Sequence, residues 1–72
     1  MFGTIKRIVK DKGFGFIVPD DGSDEVFFHR NSLHELDFSA LSVGVPVELE
    51  IEMGDKGPQA SRVFPVGERA AS

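Results

Sequence analysis

Apolar and polar positions alternate with a period of two along most of this chain, and helical periodicity is nearly absent. The clearest run follows Val45: Val45, Val47, Leu49, Ile51 and Met53 alternate with Pro46, Glu48, Glu50 and Glu52. Successive side chains of a strand point to opposite faces, so this run predicts a half-buried strand with its glutamates in water. The segment Gly3–Lys10 reads as a strand whose phase slips at Ile8-Val9, which predicts a bulge there. In Gly13–Val18, Phe14 and Phe16 share one face while Gly15 and Ile17 share the other. In Glu25–Arg30, Val26 and Phe28 lie on one face with Phe27 and His29 opposite. Gln59–Val66 is a weaker, fifth strand.

Short Gly/Asp segments separate these runs: Lys10–Gly13, Pro19–Glu25 and Gly54–Pro58 each read as a tight turn. The alternation breaks between Asn31 and Gly44, where Asn31–Leu36 predicts one helical turn capped by Asn31 inside a longer crossover. There is no internal repeat and no low-complexity segment. Five short strands, three tight turns and one long connection predict an all-β fold, a five-stranded antiparallel Greek-key barrel of the OB type. In that architecture the second and third strands form the face that meets oligonucleotides.

Four of the seven Phe residues fall within residues 12–30, on those same two strands. Ile17 belongs inside, and so do Val26 and Phe28. Period two then turns Phe14, Phe16, Phe27 and His29 outward together, onto a face that no amphipathic helix is available to cover. Phe in a short chain is usually core, yet burying Phe14 and Phe16 would force Ile17 into water. Exposed contiguous rings mark a binding surface, and rings beside Lys and Arg suit unstacked bases and their phosphates. Gly13 and Gly15 are expected to leave the ring faces unobstructed and to let the backbone turn tightly after Lys12. Phe2, Phe28 and Phe64 are assigned to the core or the barrel ends.

Composition narrows the picture further. At 72 residues the chain has room for one core, and a chain this short buries only about 60% of its unfolded surface. A net charge of −4 argues against nucleic acid, but the charges are unevenly placed. Lys6, Arg7, Lys10, Lys12 and Arg30 lie among the rings, whereas Glu48, Glu50 and Glu52 come much later. With no cysteine, disulfides and thiolate metal sites are excluded. The N-terminal residues do not read as a signal peptide and no apolar run approaches the roughly 20 residues that span a bilayer, so a cytoplasmic location is expected. His29 and His34 do not converge with other ligands as a metal site requires. The acidic Pro19–Glu25 segment lacks the alternating ligands of a calcium loop. No nucleophile–base pair or phosphate-cradling loop is present, so neither an enzyme nor a cofactor is expected.

Lys12-Gly13-Phe14-Gly15-Phe16-Ile17 followed by Val26-Phe27-Phe28-His29 resembles the paired ribonucleoprotein motifs of the bacterial cold-shock domain, a family that also includes the Y-box proteins. The resemblance runs from Gly3 to Val63 and takes in Gly3-Thr4-Ile5-Lys6, Leu41-Ser42-Val43-Gly44 and Lys56-Gly57-Pro58-Gln59-Ala60. It implies an OB-like barrel that binds single-stranded RNA and DNA, often as an RNA chaperone or cold-shock regulator. It places Lys6, Lys12, Phe14, Phe16, Phe27, His29, Phe38, Lys56 and Gln59 on the family's binding positions. The chain departs from the family at Lys6-Arg7-Ile8-Val9, where Lys-Trp-Phe-Asn is usual, and at Arg30, where an aromatic usually follows the His. Guanidinium planes also stack on bases and carry charge, so Arg7 and Arg30 join the expected site. The expected organisation is a domain over residues 1–66 with a short tail over 67–72, as a monomer or strand-swapped homodimer, with pyrimidine-rich strands preferred. A protein-interaction module on the same barrel, with weak nucleic-acid binding, is the competing reading. An RNA-recognition-motif fold would need two helices and the motifs in the opposite order.

Overall fold

The computed structural model describes residues 1–55 and 57–66. Five strands, β1 (Phe2–Val9), β2 (Phe14–Pro19), β3 (Val26–His29), β4 (Pro46–Gly54) and β5 (Gly57–Pro65), close into a barrel in the order β1-β2-β3-β5-β4. All neighbours are antiparallel except β3 and β5, which meet in parallel with Phe27 opposite Gln59. The exception is a matter of parity. Directions cannot alternate all the way around a closed ring with an odd number of strands, so one pair must run the same way. The long connection between β3 and β4 makes that arrangement possible.

The inward positions of the five strands supply the core. Ile5, Ile17, Val26, Phe28, Val47, Leu49, Ala60 and Val63 are buried, joined by Leu41 from the crossover. Each fully buried aliphatic or aromatic side chain contributes about 1.5–3 kcal/mol relative to exposure.

The bulge in β1 lies earlier than its sequence suggests. Ile5 stands opposite Ile17, whereas Arg7 stands opposite Phe16, so the extra residue is Lys6. Ile5 and Ile8 are three apart but must both face inward, across from Ile17 and Gly15. One residue between them has to be skipped, and skipping Lys6 leaves a charged side chain in water.

Met53 does not join the core expected of its strand. It is 77% exposed, opposite an exposed Pro58. The alternation itself persists, but the end of the β4–β5 hairpin extends past the last core residue and has nothing beneath it. Phe2, expected in the core or at a barrel end, points outward and is half exposed.

In the crossover, the turn expected over Asn31–Leu36 is replaced by two single turns of 3-10 helix, Arg30–Ser32 and Phe38–Ala40. His29, not Asn31, caps the first, its Nδ1 accepting the Asn31 amide at 3.1 Å. Asp37 caps the second by accepting the Ser39 amide. A longer helix is blocked because the His34 amide donates to the Val63 carbonyl on β5. Glu35 also takes a left-handed φ of 58°, which a right-handed helix excludes.

Candidate nucleic-acid interface

Register decides which side chains share the outer surface. Across β2 and β3, Phe14 faces His29 and Phe16 faces Phe27, while Gly15 faces Phe28 and Ile17 faces Val26. Directly opposed residues lie on the same side of a sheet, so the first two pairs form the outer face and the last two the core. On β1 the skipped Lys6 brings Arg7 opposite Phe16 and Val9 opposite Phe14. On β5 Gln59 stands opposite Phe27. One row therefore crosses four strands as Arg7, Phe16, Phe27 and Gln59, and a shorter row beside it reads Val9, Phe14 and His29.

The three rings at the centre support one another. Phe14 and Phe27 have centroids 5.4 Å apart with a 39° tilt. Phe16 meets each of them at 6.0 Å, edge to face, with planes at 86° and 71°. These are favourable separations and angles for aromatic pairs. All three rings and His29 are half-buried, against their neighbours in the sheet. With Nδ1 engaged as an acceptor, the neutral His29 ring carries its proton on Nε2.

Gly13 makes the expected tight turn after Lys12, whereas Gly15 acts differently from the sequence expectation. A Cβ on Gly15 would lie 2.5 Å from the Arg7 carbonyl oxygen and 2.7 Å from the Phe28 ring. Gly15 thus faces inward and lets Phe28 and β1 approach; it does not clear space around the outer rings. Gly13 adopts φ +74°, and the Arg30 side chain passes over it, Cδ lying 3.0 Å from where a Cβ would sit. The Arg30 amide also donates to the Gly13 carbonyl at 2.8 Å. Arg30 is therefore folded against the turn between β1 and β2, next to Lys12 and the Phe14–His29 row.

Charge around this face is available in part. Lys6 pairs with Glu25 at 3.4 Å, both exposed, and Lys10 donates to the Ser39 carbonyl at 3.5 Å. Among the described residues, no carboxylate pairs with Arg7, Lys12 or Arg30. Gln59 donates to Glu52 at 3.4 Å and lines a recess beside Phe27 with Gly54, Asp55, Gly57 and Pro58. Phe38 sits apart from the three central rings. It is half-buried on its 3-10 turn and meets Phe28 edge to face at 6.4 Å. Lys56 lies outside the described residues.

Two carboxylates elsewhere have depressed pKa values. Asp21 is lowered by hydrogen bonds from the Ser23 hydroxyl and amide, and Asp37 by the same pair of bonds from Ser39. Both are turn or cap groups, away from the ring face.

Some neighbours are not evident from sequence. Val9 reaches the outer face only because the bulge falls at Lys6. Ser32 and Ser61 line a second recess with Phe27, His29, Glu52, Gln59 and Ala60. Phe64, expected in the core or at a barrel end, is half-buried and stacks on His34. The only available signal for the β5 part was the three-residue interval between Ala60 and Val63, which again requires one skipped residue.

Among the described residues no helix is long and apolar enough to cross a membrane. The family model of the 'Cold-shock' DNA-binding domain matches residues 1–66. Over 63 residues the chain is 46% identical to the cold shock-like protein CspG of Escherichia coli (strain K12), covering 88% of this chain and 90% of that protein. It is 48% identical over 62 residues to the cold shock-like protein CspC of Buchnera aphidicola, covering 86% and 90% of the two chains. The cold shock protein CspV of Vibrio cholerae is 44% identical over 63 residues, with coverage of 88% and 90%. Agreement at this level, along nearly the full length of the barrel and its ring-bearing strands, makes the chain a member of the cold-shock domain family.

Proposed function

We propose that this protein binds single-stranded RNA or DNA, without catalysis, by stacking unpaired bases on its outer aromatic face. Phe14, Phe16, Phe27 and His29 supply the stacking surfaces. Arg7, Lys12 and Arg30 meet phosphates or stack through their guanidinium planes, with Lys6, Phe38, Lys56 and Gln59 contributing at the margins. The observation that carries this reading is the row Arg7–Phe16–Phe27–Gln59, drawn from four strands, with Phe14 beside it completing a cluster of three rings 5.4–6.0 Å apart. Stacking is worth about 1–3 kcal/mol per base and needs no particular base identity. A protein that holds bases unpaired in this way acts as an RNA chaperone or cold-shock-type regulator, and the names of its relatives point the same way. Pyrimidine-rich strands are favoured because pyrimidines leave their own stacks more readily.

Anisotropy titration of labelled oligo-dT and oligo-U tests this. Saturable binding that weakens in Phe14→Ala and Phe27→Ala supports it. Absence of binding to either oligomer at low salt overturns it and moves the protein-interaction reading ahead.

A further inference from the structure

The outer row of β5 continues well past Gln59. Ser61 is the skipped residue of this strand, since Glu50 faces Arg62 while Ile51 faces Ala60. Gln59, Arg62 and Phe64 consequently project outward, with Ala60 and Val63 buried between them. Because β5 runs parallel to β3, this row leads away from Phe27 along the seam between the two strands. It passes the recess that His29, Ser32 and Ser61 help to line. Beyond β3 the crossover prolongs the seam, as Leu33 bridges Val63 in parallel and the His34 amide donates to the Val63 carbonyl at 2.8 Å. These ties lay the His34 imidazole on the Phe64 ring, with centroids 5.2 Å apart and planes within 26°. His34 is exposed, so a flat ring is held in a fixed orientation with solvent-facing surface.

We propose that the His34–Phe64 stack is a second docking point for an unpaired base, belonging to the same single strand that occupies the Phe14–Phe16–Phe27 face. The inference rests on the single-strand reading above. Its geometry fits a continuous path. Gln59 and Phe64 are five positions apart with Ser61 skipped, which leaves about four strand steps, or about 13 Å at roughly 3.3 Å per residue. That span corresponds to about four nucleotides at a stacked rise of 3.4 Å, and fewer in an extended strand. Arg62 stands between the two stations. Its ion pair with Glu50, at 3.8 Å and with both side chains exposed, is of a kind that contributes little, so the guanidinium can turn to a passing phosphate.

The test is an oligo-dT length series, from about 4 to about 12 nucleotides within the usual range for one OB barrel, titrated against the full chain. Wild type, His34→Ala, His34→Phe and Phe27→Ala are compared. His34→Ala is expected to match wild type on the shortest oligomers and to bind the longest about five-fold or more weakly, the worth of one lost stack. His34→Phe is expected to restore the long-oligomer affinity, because it keeps a flat ring on Phe64. The inference is overturned if His34→Ala matches wild type at every length, or weakens every length equally. Phe27→Ala separates the two levels: it should weaken all lengths. If it weakens none, the single-strand reading itself fails and the second station fails with it.

Discussion

Phe27 and Phe28 are adjacent in sequence, and their truncation should have opposite consequences. Phe28 has no exposed surface and lies in the barrel against Gly15, where Phe→Ala costs about 3–5 kcal/mol. A 72-residue domain at about 0.05–0.15 kcal/mol per residue holds only about 4–11 kcal/mol in total. Phe28→Ala should therefore lower the melting temperature by at least about 12 °C, taking about 4–8 °C per kcal/mol for a domain of this size. Phe27 is half-buried and loses two ring contacts, at 5.4 and 6.0 Å, when truncated. At about 0.5–1.5 kcal/mol per aromatic pair beyond burial, Phe27→Ala should leave the domain folded at room temperature. Its effect should appear in binding, as a loss of about 1–3 kcal/mol, or roughly 5- to 150-fold. The chain contains no Trp or Tyr, so melting is best followed by far-ultraviolet circular dichroism and binding by anisotropy of a labelled oligo-dT. Unchanged melting with weakened binding for Phe28→Ala, together with collapse of Phe27→Ala, would show that the two faces had been assigned the wrong way round.

Gly15→Ala should destabilise the barrel by about 1–3 kcal/mol or more, because the new Cβ meets the Arg7 carbonyl at 2.5 Å; unchanged thermal melting would mean that β1 and β2 do not approach so closely. Replacing Arg7→Trp together with Arg30→Phe should flatten the slope of log affinity against log salt by roughly 1–1.5 units, at about 0.7 per phosphate. Affinity at high salt should rise at the same time, while an unchanged slope and affinity would place both arginines outside the interface. Asp21 and Asp37 have folded pKa values below the ordinary 3.8, so their stabilising contribution is complete above that value and is lost as pH falls through the depressed one. Asp37→Asn, which keeps an acceptor for Ser39 but does not titrate, should soften the fall in melting temperature below about pH 4; an identical acid limb would remove Asp37 from the acid response.

The outer face was legible in the sequence because period two allows only two answers, and Ile17, Val26 and Phe28 select one of them. The strand content and the long crossover were legible for the same reason. The phase slip in β1 is visible in the sequence but reads as falling at Ile8-Val9, whereas the skipped residue is Lys6, and that is what brings Arg7 beside Phe16. Alternation gives no sign of where a core ends, so Met53 was read as buried although the hairpin extends beyond the barrel there. The role of Gly15 depends on the Phe28 ring and the Arg7 carbonyl reaching it across two neighbouring strands. Local reading sees neither. His29 as a cap and His34 on Phe64 likewise depend on the chain after β3 lying along β5, a pairing between residues about thirty positions apart.

The central claim is that bases are accepted unpaired on a ring surface, and competition between a labelled pyrimidine-rich strand and its own duplex tests it most directly. Although the duplex carries about twice the phosphate charge per unit length, stacking should favour the single strand by about 1–3 kcal/mol for each base seated on the rings. That preference should persist at high salt, where phosphate contacts fade. Equal affinity for the duplex and the separated strand, at low and high salt alike, would contradict the account.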